Sequence, residues 1–190
     1  MNPFAIDNSD FQFLLDSIGE TVTIDNVEQK AIVNNAKIGD YEDKYIYTLE
    51  PIQRGNLILH NGKNYLIISD VTEGKLYKKA LMRKCTHTIS VLVKEGEQVQ
   101  VGETPWGDPI YETIGAEYDD FPCIVEQEKI VIENGAIRTV DTEILITLQD
   151  NEFTRKIKIN DTYEVAGYTY RVVNVNYTKA GLIILKCETV

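Results

Sequence analysis

Apolar and polar positions alternate with a period of two along most of this chain and follow a helical period in one place. Phe11, Leu14, Leu15 and Ile18 recur at i, i+3, i+4 and i+7, which draws one apolar stripe along a helix. Ser9 with Gln12 three residues later forms a capping box, and Gly19 supplies a stop, so the spacing predicts a helix over 9–18. A helix this short is marginal alone in water. Its stripe must therefore dock, either on its own β unit or on a neighbouring subunit.

The remaining pattern predicts short strands. Thr21–Ile24 and Val27–Asn34 alternate on either side of Asp25-Asn26, which reads as a turn, and Ile38–Glu42 is polar and turn-like. Lys44–Leu49 is rich in aromatic and β-branched residues, as strands are. Leu57–Leu59 and Tyr65–Val71 flank Asn61-Gly62, a strong two-residue hairpin signal. A further strand is expected from about Ala80 to Val93, although Tyr77–Cys85 reads equally as helix. Later, Cys123–Glu133 and Ala136–Leu148 are joined by Asn134-Gly135, a second hairpin signal. Phe153–Ile159, Tyr163–Val165, Gly167–Tyr177 and Gly181–Glu188 complete the series.

Between these two groups the alternation stops. Residues 94–121 contain Gly102, Pro105, Gly107, Pro109 and Gly115, and such a stretch reads as a functional loop or linker. The predicted organisation is thus a helix plus a first β unit over 1–93, an acidic connecting loop over 94–121 and a second β unit over 122–190. Many short strands separated by turns imply an all-β (mainly β) chain, two tandem small β-barrel or sandwich units with one short N-terminal helix.

A weak internal repeat supports the tandem reading. At an offset of 105, Gly62 falls on Gly167, Tyr65 on Tyr170, Ile67 on Val172 and Ile68 on Val173. Each copy also closes on Lys-Cys, at Lys84-Cys85 and Lys186-Cys187.

Charge adds a second asymmetry. The net charge is −11, and residues 95–133 hold eleven acids against the single base Lys129. Lys75, Lys78, Lys79, Arg83 and Lys84 crowd 74–84 with no acid among them. Solubility alone accounts for two such surfaces; a head-to-tail assembly in which they meet is the sharper alternative. The candidate subunit contacts are Lys75, Lys78, Lys79 and Arg83 against Glu112, Glu117, Asp119 and Asp120, with Phe11, Leu14 and Leu15 of the helix. Trp106, flanked by Pro105 and Gly107, is either an interface anchor or packed back on its own domain.

Signals for chemistry are poor. His60 precedes the Asn61-Gly62 turn and is expected on an exposed turn. Cys85-Thr86-His87 places a thiol and an imidazole at strand spacing, on one face. A zinc site needs about four ligands, and no second Cys/His cluster is present, so Cys85 reads as a buried structural thiol. The three cysteines, Cys85, Cys123 and Cys187, lack paired spacing, so free thiols in a reducing cytoplasm are expected. No secretory leader, nucleophile elbow, P-loop or dinucleotide fingerprint stands out. Asp40, Glu42 and Asp43, and Glu117, Asp119 and Asp120, read as solvated turn acids rather than a calcium loop. No enzyme activity, metal or cofactor is expected. Five bases on so acidic a chain do not make a nucleic-acid-binding surface; an acidic lining would instead let a duplex slide past.

The tract Asp43-Lys44-Tyr45-Ile46, Gln53-Arg54-Gly55-Asn56-Leu57-Ile58, Asn61 to Ser69 and Tyr77 to Cys85 resembles head–tail joining (neck) proteins of long-tailed phages, of the head-completion or stopper type. In that group a basic-Gly-Asp, apolar, Gly, x-x-Tyr run opens a barrel hairpin. Here Asn56 replaces the Asp, and the second unit keeps Asp161 but has Asn160 in place of the Gly. The likeness covers roughly residues 20–92 well and 122–190 loosely. The resemblance implies a non-enzymatic virion protein, made in the host cytoplasm and placed in the neck. It implies a ring, commonly of six or twelve copies, between a portal or adaptor and the tail terminator or tail tube. Such a ring closes the head, retains packaged DNA with only passive contact to it, and involves no membrane. A tail terminator or another tail or baseplate protein is the alternative, and a host binding module or enzyme a more distant one.

Overall fold

In the computed structural model, which describes residues 9–36, 42–127 and 143–190, the amphipathic segment forms helix α1 (Ser9–Ile18). Phe11 and Leu15 are buried, and the Phe11 ring stacks on Tyr77 at 5.2 Å. The helix thus docks on the β unit that follows it in the chain.

That unit comprises β1 (Glu20–Ile24), β2 (Val27–Asn35), β3 (Lys44–Thr48), β4 (Leu57–His60), β5 (Lys63–Ile67), the short β6 (Thr72–Glu73) and β7 (Lys78–Lys84). The sheet runs β3-β2-β1-β4-β5-β7-β6, and pairing of β3 with β7 closes it into a barrel. The two-residue turns are as expected: Asp25-Asn26 and Asn61-Gly62 carry positive φ at both positions, as a type I′ hairpin requires. Val22, Ile24, Ala31, Ile46, Ile58, Ile67 and Met82 point inward and fill the barrel.

The second unit is built from β8 (His87–Lys94), β11 (Glu117–Gln127), β12 (Ile144–Gln149), β13 (Thr162–Val165), β14 (Tyr168–Asn176) and β15 (Leu182–Thr189), in the order β13-β14-β15-β12-β11-β8. Its core holds Ile89, Val91, Cys123, Ile146, Val172, Leu185 and Cys187. Between β8 and β11 stand β9 (Glu97–Glu103) and β10 (Pro109–Ile114), which among the described residues pair only with each other. The chain is mainly β, with two barrel-like sheets.

The repeat extends well beyond its few identities. β1, β2, β3, β4, β5 and β7 correspond in order and pairing to β8, β11, β12, β13, β14 and β15. In the first unit Leu57 opposes Leu66 and Tyr65 opposes Ile58; in the second Thr162 opposes Arg171 and Tyr170 opposes Tyr163, the same register at the same offset. The lead-in turn is shared too. Gln53 N donates to Asn56 Oδ1 at 2.5 Å and Gly55 N to Ile67 O at 2.9 Å; Lys158 N donates to Asp161 Oδ2 at 2.7 Å and Asn160 N to Val172 O at 2.9 Å. Gly55 and Asn160 both carry positive φ. Asn56 and Asp161 thus do the same work: each side chain caps the turn through an amide three residues back.

One pairing is not repeated. β1 bonds to β4 through Thr23 opposite Leu59 and Ile24 opposite Ile58, so the wall of the first barrel is continuous there. β8 and β13 hold the same places in the second barrel but are not paired, so its wall has an open seam.

Several expectations are corrected. The Lys-Cys pairs do not correspond: Met82 opposes Ile67 and Cys187 opposes Val172, so Met82 and Cys187 are the equivalents. The run from Ala80 to Val93 is not one strand, because Cys85-Thr86 bridges the barrels and β8 belongs to the second. Within Tyr77–Cys85 the chain is strand and not helix over Lys78–Lys84, since Ala80 and Met82 alternate inward on β7. Residues 94–121 are not a loop but a hairpin and the start of β11. Phe153–Ile159 holds only a 3₁₀ turn, Thr154–Lys156, because Asn151 and Thr154 bond the local backbone there. The Asn134-Gly135 turn and Asp40 lie outside the described residues.

Candidate assembly surfaces

The two barrels are locked together. Leu57, Leu66 and Ile68 of the first meet Ile124 and Leu182 of the second, with Cys85 between them. Cys85 N donates to Asn64 O at 2.8 Å and Thr86 N to Cys123 O at 3.0 Å, so the linker bonds once to each side. Gly55 and Gly181 touch backbone to backbone: a Cβ on Gly55 would lie 1.9 Å from the Gly181 carbonyl oxygen. Arg83 adds a charged tie. Its Nε and Nη2 donate to Asp43 at 2.8 and 3.0 Å, and its Nη1 to Glu126 of the second barrel at 2.5 Å. Asp43 is only 1% exposed, so without this partner it would be a buried, uncompensated charge.

The basic tract is therefore not one free face. Arg83 is committed within the chain, Lys78 pairs with Glu73 at 2.9 Å, and the Lys79 ammonium sits 4.0 Å over the Tyr45 ring. Lys75 is exposed in the connection before β7. Among the acids, Glu117 pairs with Lys94 at 2.5 Å, and Asp120 accepts from Ser90 Oγ at 2.5 Å. The Asp119 carboxylate accepts from the Asp120 amide, and Glu112 lies exposed on β10 opposite Val99. In helix α1, Phe11 and Leu15 are covered by their own barrel, whereas Leu14 and Ile18, the other half of the predicted stripe, are exposed.

The β9–β10 hairpin is the arm that sequence periodicity missed. Among the described residues no face of it is buried: Val99, Val101, Ile110, Tyr111 and Ile114 are all substantially exposed. Trp106 stands at its tip, 87% exposed, and so does not pack back on its own domain. The arm carries Glu97, Glu103, Asp108 and Glu112 and no base. It replaces the two-residue turn Asp25-Asn26 that joins the equivalent strands of the first barrel. The arm thus sets exposed apolar side chains among four acids, a combination that single-chain surfaces seldom display over a whole hairpin.

The candidate chemical groups sit differently from expectation. Cys85 and His87 do not share a strand face, because the chain leaves the sheet between them; His87 Nδ1 lies 2.9 Å from Thr86 Oγ1. Burial pushes the Cys85 thiol up to about 12, and Cys123 and Cys187 to about 12 and 11. At neutral pH none is a thiolate, the reactive form. His60 is buried rather than exposed, since it ends β4 pointing into the barrel mouth. Its Nε2 lies 2.5 Å from Glu20 Oε2, and that hydrogen bond holds the Glu20 carboxyl below its usual range. Among the described residues the His60 Nδ1 has no hydrogen-bond partner. Among the described residues, no three His, Cys, Asp or Glu side chains gather as a metal site would need.

Comparisons with known proteins divide the chain where the sheets do. The YomX N-terminal domain matches residues 2–84 and the YomX C-terminal domain residues 86–188. The SPbeta prophage-derived uncharacterized protein YomX of Bacillus subtilis (strain 168) is 30% identical over 172 residues, covering 84% of this chain and 76% of that protein. No solved structure matches.

Proposed function

The chain belongs to the YomX family, and from that premise we propose that it is a non-enzymatic virion protein of the phage head–tail interface. In this reading it forms a ring between the portal or adaptor and the tail, closes the filled head and retains the DNA. The prophage origin of the Bacillus subtilis relative supports a phage protein. The observation that carries the structural role is a rigid pair of like-folded barrels, bonded to each other and bearing one exposed acidic arm. Such a body offers shape and contact area, and its buried thiols are held protonated.

The test is deletion of the gene from an inducible prophage. Emptied heads and unattached, normal-length tails are the expected product. Complete, infectious particles from the deletion strain would overturn the proposal. Filled heads with tails of irregular length would instead assign the chain to tail termination, the second reading.

A further inference from the structure

We propose that the tip of the β9–β10 arm of one chain docks in the open seam of the second barrel of the next copy. The inference rests on the ring reading above and names the contact that would build it.

Two features of the second barrel lack counterparts in the first. One is the arm, with Trp106 at its end. The other is the seam, where Ser90, Val91 and Leu92 of β8 face Thr162 and Tyr163 of β13 without ladder bonds and line a cavity of about 530 Å³. The equivalent strands of the first barrel are bonded shut at these places. A cleft of this size accommodates an indole ring, within the range of pockets that hold small ligands. Its apolar lining comes from Val91, Leu92, Ile157, Tyr118 and Tyr163.

Charge supplies a partner for the acids of the tip. Glu103 and Asp108 flank Trp106 on the arm, and Lys158 lines the cavity, as does Lys156, whose ammonium donates to Val93 O at 3.1 Å. Two acids line it as well: the Asp161 carboxylate accepts the Lys158 amide, and Glu95 lies at the root of the arm. A second copy is the occupant because the chain itself carries both halves of the match and the arm does not lie on its own barrel. Arm and cavity are different surfaces, so the contact is heterologous and runs head to tail, which closes a ring when the rotation per copy is right.

The test uses the full chain in sedimentation velocity over a range of concentrations. Wild type is expected to associate. Trp106→Ala, at a position too exposed to affect folding, should weaken association at least tenfold, in keeping with loss of a central aromatic anchor. Asp108→Lys and Lys158→Glu should each weaken it, and the double variant should restore it. With Pro105→Cys beside the tip and Thr162→Cys on the cavity lining combined in one chain that keeps Trp106 and Lys158, a bismaleimide linker should give ladders of joined chains. Three results would each sink the docking: a wild type that stays monomeric, a Trp106→Ala variant that associates normally, or a linker joining the two cysteines within a single chain. Particles that assemble normally with the Trp106→Ala chain present would remove this contact while leaving the neck reading intact. Absence of the wild-type chain from purified particles would remove the neck reading itself.

Discussion

Arg83 shows how much rests on single side chains here. Its place in a basic tract suggests a subunit contact, yet it neutralises Asp43 inside the fold. Arg83→Met should lower stability by about 3–5 kcal/mol, and Asp43→Asn in that background should recover part of the loss; chemical denaturation measures both. Glycine context can be tested in the same way. Gly181 carries positive φ, and a Cβ there would lie 2.0 Å from the Arg54 carbonyl oxygen, whereas Gly107 has positive φ but open space around it. Gly181→Ala should therefore cost about 2–3 kcal/mol, and Gly107→Ala about 1 kcal/mol. Carboxylates set the acid limit. Hydrogen bonds from His60 and Arg155 lower Glu20 and Asp150 respectively. A lowered carboxyl contributes stability that is complete above its unfolded value of about 4 and is lost as pH falls through the lowered value. Glu20→Gln and Asp150→Asn should each flatten the loss of stability below that point, as urea midpoints measured across pH would show.

At the scale of elements, what could be read from sequence depends on whether an element buries a face. The turns Asp25-Asn26 and Asn61-Gly62 were legible because positive φ restricts the residues allowed. Helix α1 was legible from its stripe, and β14 and β15 from their alternation. The arm was not: Val99 and Val101 do alternate with Gln98 and Gln100 on β9, but the run is short, it buries neither face among the described residues, and Gly102, Pro105, Gly107 and Pro109 interrupt it. Its Gly and Pro residues then resemble a loop. The break at Cys85-Thr86 was hidden by the apolar runs on either side of it. The open seam left no trace in sequence, since it is a missing hydrogen-bonded pairing and not a residue type. The arm also makes a clear element-scale prediction. Replacing residues 95–116 by Asn-Gly restores the connection used in the first barrel and removes no buried side chain. The melting temperature should move by no more than a few degrees; a collapse would mean that the arm supports its own barrel.

Across the whole molecule, the apolar contact between barrels, the Gly55–Gly181 approach and the Arg83 tie couple the two units. They should unfold together, with calorimetric and van't Hoff enthalpies in agreement; two separated transitions would show that the junction is weaker than its contacts imply. The duplication also has a geometric consequence for any closed assembly. A circle of such chains displays twice as many barrels as members, alternating armed and armless. A neighbour of doubled rotational order would therefore find one near-identical foothold for each of its own subunits.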